Sequence, residues 1–484
     1  MKAKSIGLPA GPMLFLLILF FFKGEGLSQE GIATLAIGTW IAVWWITEAI
    51  PISATALLPF VLFPITGVMT VKGVSSAFAN QMIFLFLGGF ILAVAIEKTN
   101  LHKRIALNII HTIGSNWNKV ILGFMIATAF LSMWISNTAT AVMMLPIGLA
   151  VISQIQAEDS IRKSMGRSLM LAIAYGCSVG GIATIIGTPT NVIFVGIVEE
   201  LYGQTISFTQ WMALGLPFSI FMLIIGWFYL TKVVFPVTVE GIPGGKKAIS
   251  AQLKELGKIS YKEKSVLVVF IIVALCWMTS SFVLKKIIPG INDTLIAIAG
   301  AISLFVIPSG EKKKIGIINW QTAETIPWGI LLLFGGGLAL AEGFKVSGLA
   351  KWIGSQLTLF EVFPSILMVL AIITVVNFLT EITSNVATAA MLMPVLAALA
   401  LSIDVHPYFL MVAATIAASC AFMLPVATPP NAVVFGSGLL TIPRMIKAGF
   451  WMNIISILVA TLLIYFILPL VWNIKIDSFP ELFK

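Results

Sequence analysis

The sequence contains the stretch Trp134-Ile135-Ser136-Asn137-Thr138-Ala139-Thr140-Ala141-Val142-Met143-Met144-Leu145-Pro146, which places hydroxyl and amide groups inside a long apolar segment. A near-copy stands 384 − 136 = 248 residues later, at Ile382-Thr383-Ser384-Asn385-Val386-Ala387-Thr388-Ala389-Ala390-Met391-Leu392-Met393-Pro394. Polar groups cost free energy in hydrocarbon unless a partner satisfies them. We therefore predict that these two polar islands face each other and hold a small solute.

The composition is that of a polytopic membrane protein. Of 484 residues, 59% are hydrophobic and only 10% are charged, whereas a soluble globular domain is about one quarter charged. The three cysteines and three histidines are widely scattered, which predicts neither a disulfide framework nor a metal site made of these residue types. The net charge of +9 is the bias expected of cytoplasmic loops, and no nucleic-acid partner is predicted.

Hydropathy predicts an all-α chain in the plasma membrane, with about eleven spans and two re-entrant hairpins at 119–153 and 362–402. With the N-terminus in the cytoplasm and the C-terminus outside, 21 of the 29 Lys and Arg fall on the cytoplasmic side. If either hairpin alone crossed the membrane, the loops between the two hairpins or those after them would change sides, and the excess of Lys and Arg in the cytoplasm would be lost. The predicted spans are 8–22, 31–47, 52–68, 80–97, 169–198, 211–235, 264–284, 291–307, 327–344, 408–438 and 448–472.

The islands belong to a longer internal repeat. Phe86-Leu87-Gly88-Gly89 aligns with Phe334-Gly335-Gly336-Gly337 at the same offset of 248, and Pro146 aligns with Pro394. Five predicted spans separate equivalent positions, so the two copies enter the membrane from opposite faces. An inverted-topology repeat of this kind is the usual ground plan of secondary transporters.

A second pair of motifs interrupts two of the predicted spans: Gly187-Thr188-Pro189-Thr190-Asn191 and Ala427-Thr428-Pro429-Pro430-Asn431. Proline removes a backbone donor, so each helix is expected to unwind there. Unwound backbone at bilayer depth is tolerated only where it lines an enclosed cavity. Its carbonyl groups can coordinate a cation, while the N-termini of half-helices favour an anion.

The four motifs offer hydroxyls, side-chain amides and backbone carbonyls, which suit Na⁺ and carboxylate oxygens. Neither the islands nor the Thr-Pro-x-Asn breaks contain Asp or Glu, which disfavours proton antiport and cationic substrates. For one island alone, close helix packing by small residues is an equal alternative. Two islands, each paired with a proline break, favour a site for an anion offset by co-bound cations and helix dipoles. We assign no transport role to Glu48 or Glu381.

Over nearly its whole length, the chain resembles the divalent anion:sodium symporter family, the INDY-like dicarboxylate transporters. The resemblance implies a homodimer whose protomers each hold a scaffold domain and a transport domain that moves as an elevator. The motifs that carry it are Ser136-Asn137-Thr138, Ser384-Asn385-Val386, Gly187-Thr188-Pro189, Ala427-Thr428-Pro429-Pro430, the segment 44–51 (WWITEAIP) and the segment 326–337 (IPWGILLLFGGG).

This resemblance also implies a division of the chain. Residues 1–118 and 264–361 would form the scaffold helices of the two repeats. Residues 119–235 and 362–484 would form the transport domain, each part holding a hairpin, a broken helix and the following span. The polar stretch 236–263 would be a cytoplasmic linker.

The family's binding residues carry over to matching positions. One Na⁺ site would use Ser132, Ser136, Asn137 and the backbone at Gly187. The symmetric Na⁺ site would use Thr380, Thr383, Asn385 and the backbone at Ala427. The substrate carboxylates would meet Ser136, Asn137, Thr138, Ser384, Asn385, Val386, Thr428 and Pro429. Val386 departs from the threonine of many relatives, which replaces a hydroxyl by methyl groups and bears on the choice of substrate.

The sequence thus predicts a secondary transporter of C4-type dicarboxylates, such as succinate, malate or fumarate, with Na⁺ as coupling ion and no other cofactor. A Na⁺-independent dicarboxylate exchanger has the same architecture, and a citrate or sulfate transporter is a further alternative. An anion channel would need a pore lined by basic residues, which the apolar segments lack. An enzyme would need a base or metal beside the serines, and neither occurs within the islands.

Overall fold

The computed structural model describes residues 2–114, 116–155, 158–236, 245–310, 316–356 and 363–483. In this part of the chain the regular secondary structure is helical apart from one isolated bridge. Nine of the described helices are long and apolar enough to cross a membrane. They are Lys4–Phe21, Gln29–Thr47, Val71–Lys98, Asp159–Ile182, Phe208–Val234, Tyr261–Ile287, Trp328–Val346, Asn385–Ser402 and Ile442–Trp472.

Shorter helices fill the remainder. The apolar ones are Ile52–Thr55, Leu58–Ile65, Trp117–Ser132, Pro189–Tyr202, Asn137–Ser153, Asp293–Val306, Ser365–Thr380, Pro407–Ala418 and Pro429–Phe435. The others are Leu101–Ile113, Gly245–Glu255, Trp320–Ala323 and Leu349–Gln356. A break after Phe78 divides the span Val71–Lys98, and three spans contain a π-helical segment, at Tyr229–Val234, Ser280–Leu284 and Leu463–Ile467.

Four of the eleven predicted spans are shorter or broken in the structure. The span 291–307 is the 14-residue helix Asp293–Val306, about 21 Å long and so shorter than the ~30 Å hydrocarbon core. Its start is fixed by Asn292, whose side chain accepts a hydrogen bond from the Leu295 amide. The spans 52–68, 169–198 and 408–438 each consist of two separate α-helices.

Both hairpins form where they are predicted. The first consists of Trp117–Ser132 and Asn137–Ser153, and the second of Ser365–Thr380 and Asn385–Ser402. At each tip a serine ends the turn and begins the second arm. Ser136 Oγ accepts a hydrogen bond from the Ala139 amide at 3.2 Å, and Ser384 Oγ accepts one from the Ala387 amide at 3.5 Å. The serine of each polar island is therefore an N-cap.

The two broken helices unwind before their prolines. The first half of broken helix 1 ends at Ile182, and the first half of broken helix 2 ends at Ala418. Pro189 and Pro429 are the first residues of the second halves. Proline suits this position because its missing N–H would have no intrahelical partner there. The proline breaks thus predict the unwinding correctly, but each proline begins a helix and does not end one.

The two halves of the chain pack against each other through the glycines of the repeat. A Cβ on Gly88 would lie 2.6 Å from the Ala297 carbonyl carbon, and one on Gly336 would lie 2.7 Å from the Ala56 Cβ. Gly88, in the first repeat, packs against a helix of the second repeat. Gly336, in the second repeat, packs against a helix of the first repeat. These glycines permit close helix approach, as the repeat pattern suggests.

Part of the predicted linker is helical. The helix Gly245–Glu255 lies within 236–263, and its Ile249 is buried. Its end is held by Arg104, which donates hydrogen bonds to the carbonyls of Leu256 and Gly257 and forms a buried ion pair with Glu263 at 2.7 Å. The residues 237–244 lie outside the described part of the chain.

Gly180→Ala is expected to destabilise the protein. The added Cβ would collide with the backbone of Ala129 on the first hairpin, and overpacking of this kind costs about 1–3 kcal/mol. Gly89→Ala is the matched control, because its Cβ would lie 3.6 Å from the nearest atom, in the Ile186 side chain. Thermal unfolding of the detergent-purified protein should show a lower Tm for Gly180→Ala alone; equal Tm values for both variants would contradict this packing.

Candidate transport site

The hairpin tips and broken helices meet at one cavity of about 760 Å³. All predicted substrate residues line it, and so do the predicted cation residues Gly187, Thr383 and Ala427. Ser132 and Thr380 lie behind the tips and are fully buried. The substrate residues concerned are Ser136, Asn137, Thr138, Ser384, Asn385, Val386, Thr428 and Pro429.

The cavity is mostly neutral, with apolar walls. Side chains such as Phe90, Ile186 and Val426 contribute to its walls, and Glu48 is the single charged residue among those that line it. Four helices begin at the cavity, namely Asn137–Ser153, Pro189–Tyr202, Asn385–Ser402 and the short Pro429–Phe435. The N-terminus of a helix carries a partial positive charge and free N–H groups. The arrangement therefore favours an anion although no Lys or Arg lines the cavity.

The residues predicted for the first cation site bring their oxygens together. Two of these oxygens lie close to Gly181: a Cβ added there would be 2.7 Å from Asn137 Oδ1 and 3.0 Å from the Gly187 carbonyl oxygen. The Ser132 carbonyl oxygen lies close to Gly187, since a Cβ added to Gly187 would be 2.9 Å from it. Ser132 Oγ and Asn137 Oδ1 are buried and make no hydrogen bond to the described residues. Buried oxygens normally have partners, so this cluster of neutral oxygens fits a Na⁺ ion.

The symmetric set is arranged differently. Thr380 Oγ1 donates to Asn385 Oδ1 at 2.6 Å, and the hydroxyl oxygens of Thr383 and Thr388 are 2.6 Å apart. These groups therefore have hydrogen-bond partners in this conformation, although a hydroxyl that donates its proton keeps oxygen lone pairs for a cation. The chemistry of the donor set suits Na⁺ in both repeats, and the geometry suits it better in the first.

Two asparagines of the Thr-Pro-x-Asn motifs hold the unwound segments in matching ways. Asn191 Nδ2 donates to the carbonyls of Gly181 and Thr184, 10 and 7 residues earlier. Asn431 Nδ2 donates to the carbonyls of Ala421 and Leu424, at the same two spacings. Our site assignment omitted both residues, although their repetition in the sequence could have revealed them. They fix the shape of the backbone that lines the cavity.

Glu381 has a structural role that its position in sequence did not reveal. Its carboxylate accepts hydrogen bonds from the backbone amides of Phe422, Met423 and Leu424, at 2.8–3.0 Å. Asn453 Nδ2 donates a fourth bond, at 2.8 Å. Glu381 follows Thr380 at the tip of the second hairpin, so it ties this tip to the unwound segment of broken helix 2. In the first repeat the equivalent contact runs from Thr184 Oγ1 to the Met133 carbonyl oxygen, at 2.6 Å.

The cavity continues toward the N-terminus of the chain. A second space of about 520 Å³ shares Glu48, Ser384 and Val386 with it and extends to Lys4. Lys4 Nζ and Glu48 Oε2 form an exposed ion pair at 3.3 Å, which contributes little stability because water screens it. The described residues contain no group of three or more His, Cys, Asp or Glu that could hold a metal ion.

Comparison with known proteins is consistent with this geometry. The family model described as "Sodium:sulfate symporter transmembrane region" matches residues 3–473. A sodium-dependent dicarboxylate transporter SdcS of Staphylococcus saprophyticus is 48% identical, with 98% of this chain and 93% of the relative covered. The SdcS protein of Staphylococcus aureus strain RF122 is 49% identical, with the same coverage.

Two solved structures have a similar fold. Neisseria gonorrhoeae MtrF, from a study of antimetabolite efflux pumps, has a TM-score of 0.61 and 12% identity, and the match covers 94% of this chain and 96% of MtrF. The Alcanivorax borkumensis YdaH transporter has a TM-score of 0.58 and 13% identity, with 81% and 86% covered. At these identities the likeness concerns the fold alone.

Proposed function

Because this chain belongs to the family of the sodium:sulfate symporter transmembrane region, we propose that it is a Na⁺-coupled symporter of C4-type dicarboxylates. It is a multi-pass membrane transporter and not an enzyme. The observation that carries the substrate class is the convergence of four helix N-termini and two Ser-Asn tips on one neutral cavity. The names of the SdcS relatives support both the dicarboxylate and the cation.

The chemistry of the site suggests how the substrates bind. The side chains and helix N-termini at Ser136-Asn137-Thr138 and Ser384-Asn385 supply donors for the two carboxylates, and Thr428 and Pro429 line the wall beside them. Na⁺ would bind at two sites. The first would use Ser132, Ser136, Asn137 and the Gly187 carbonyl, and the second would use Thr380, Thr383, Asn385 and the Ala427 carbonyl. Asn137 and Asn385 belong to both substrate and cation sets, so bound Na⁺ would order the residues that bind the dicarboxylate. This sharing gives a physical basis for coupling.

We further propose an elevator movement of a transport domain formed by the hairpins, the broken helices and the spans that follow them. The resemblance to the family supports this movement and a homodimer. With the N-terminus in the cytoplasm and the C-terminus outside, the opening beside Lys4 and Glu48 would face the cytoplasm. The plasma membrane is the proposed location, and exposed apolar side chains such as Phe20, Phe21 and Ile65 are available to lipid or a second copy.

The test is uptake of radiolabelled succinate into proteoliposomes that are either empty or loaded with unlabelled succinate. Each preparation is measured with and without an inward Na⁺ gradient. The proposal predicts uptake into empty vesicles that requires the gradient. Uptake that needs internal dicarboxylate and ignores Na⁺ would instead identify an exchanger and contradict the cation assignment.

Val386→Thr is expected to change the order of preference among succinate, malate and citrate. Val386 is half-buried and lines the cavity, so the new hydroxyl would add a donor and acceptor beside the substrate. The measurement is competition of each anion against labelled succinate. Val142→Thr is the matched control, because Val142 is exposed on the first hairpin and does not line the cavity. An unchanged order for Val386→Thr would remove this residue from the substrate site.

A further inference from the structure

A groove of about 460 Å³ lies between the end of helix Phe208–Val234 and the start of helix Ile442–Trp472. It shares no lining residue with the central cavity. The groove is lined by Tyr229, Val233, Val234, Phe235, Arg444, Lys447, Ala448, Trp451 and Ile455.

The charge of the groove is positive and unpaired. Arg444 and Lys447 are exposed and stand three residues apart, on one face of their helix. No carboxylate lies within ion-pair distance of either cation among the described residues. Arg167 lies close enough to Arg444 for their like charges to interact. A partly enclosed groove with uncompensated cations concentrates anions.

An exposed apolar surface continues from the charged end of the groove along both helices. Phe221, Ile224 and Phe228 are each more than half exposed on one helix, and Leu458 and Leu462 are so on the other. In a membrane protein such faces contact acyl chains. Trp451 is exposed one helical turn beyond Lys447, and aromatic side chains with one polar end are favoured at the membrane–water interface. Tyr229 is buried beside it and donates a hydrogen bond to the Ala448 carbonyl oxygen. The groove therefore offers cations for a headgroup and a hydrophobic track for its chains.

We propose that this groove binds an anionic phospholipid, with Arg444 and Lys447 at the phosphate and the acyl chains along the two helices. A soluble phosphate would use the cations alone, whereas an anionic lipid would use both the cations and the apolar face beside them, which favours the lipid. The predicted topology puts both cations at the cytoplasmic face, where membranes carry most of their anionic lipid. Both helices belong to the proposed transport domain, so the lipid would sit on the part that moves.

Native mass spectrometry of the full chain in detergent tests this proposal, with titration of phosphatidylglycerol and, separately, phosphatidylcholine. The variant Arg444→Gln/Lys447→Gln should bind phosphatidylglycerol about thirtyfold more weakly, from about 1 kcal/mol per lost cation. The matched control is Lys163→Gln/Lys254→Gln, which removes two exposed cations outside the groove. The charge-keeping variant Arg444→Lys/Lys447→Arg should bind as the wild type does.

Several results would overturn the proposal. They are equal binding by the wild type and the Gln double variant, an equal loss in the control, or equal affinity for phosphatidylcholine. Displacement of the lipid by millimolar inorganic phosphate would identify a site for a soluble anion instead. If the double variant does not purify as a folded protein, Lys447→Gln alone decides. A loss of about fivefold supports the proposal, and unchanged affinity contradicts it.

Discussion

Asn137→Ala should reduce Na⁺-driven succinate uptake by about a hundredfold, and Asn385→Ala should have a similar effect. Each asparagine stands at a hairpin tip, lines the cavity and belongs to both the proposed substrate set and the proposed cation set. The oxygen of Asn137 is buried and makes no hydrogen bond to the described residues. Hydrogen bonds to charged groups contribute about 1.5–3 kcal/mol each, so loss of two shared contacts accounts for the expected magnitude.

Asn108→Ala is the control for these substitutions, because Asn108 is exposed on the amphipathic helix Leu101–Ile113 and outside the cavity. All three variants should elute from size exclusion as the wild type does and unfold at a similar temperature. Near wild-type uptake by both Asn137→Ala and Asn385→Ala would remove these residues from the site. Loss of folding in either would point to a packing role instead.

Glu381→Gln should lower the stability of the protein by about 2–4 kcal/mol and weaken its apparent affinity for Na⁺. The carboxylate accepts three backbone N–H bonds and one from Asn453. A glutamine would turn an NH₂ group toward these donors, leaving at least one of them without an acceptor in a buried environment. The segment released contains Ala427 and Thr428, which line the cavity, so the second cation site would lose its fixed geometry.

Thermal unfolding and the Na⁺ dependence of uptake test this role together. Glu324→Gln is the matched control, because it makes the same substitution at an exposed residue outside the second hairpin. Glu381→Asp should restore part of the stability, because a shorter carboxylate keeps the charge but reaches fewer of the donors. A Tm equal to that of the wild type in Glu381→Gln would show that the carboxylate does not hold the unwound segment.

The sequence was enough to predict the elements that repeat. Ser136 and Ser384 sit in matching islands, so one offset located both hairpins and both cavity-lining tips. The Thr-Pro-x-Asn motifs located the unwound segments for the same reason. The hydrogen bonds made by Asn191 and Asn431 within these segments also match, because each asparagine bonds to carbonyls at the same two spacings along the chain.

Other features depend on contacts that no local pattern records. The backbone partners of Glu381 lie 41–43 residues later in the chain, in the unwound segment of broken helix 2, and the first repeat has Met133 at the equivalent place. An acidic residue in an apolar segment indicates that its side chain has a role, but the sequence pattern does not show which role it is. The length of Asp293–Val306 was also missed, because hydropathy continues past the ends that Asn292 and the following turn impose.

The central claim is that the two islands bind dicarboxylate and Na⁺ as a unit. Equilibrium binding of radiolabelled succinate to the purified protein, measured against Na⁺ concentration at constant ionic strength, tests it most directly. We expect succinate affinity to rise with Na⁺ in the wild type and K⁺ not to substitute. Asn137→Ala should bind succinate about a hundredfold more weakly than the wild type at the same Na⁺ concentration. Succinate binding with the same Kd in K⁺ as in Na⁺ would contradict the claim.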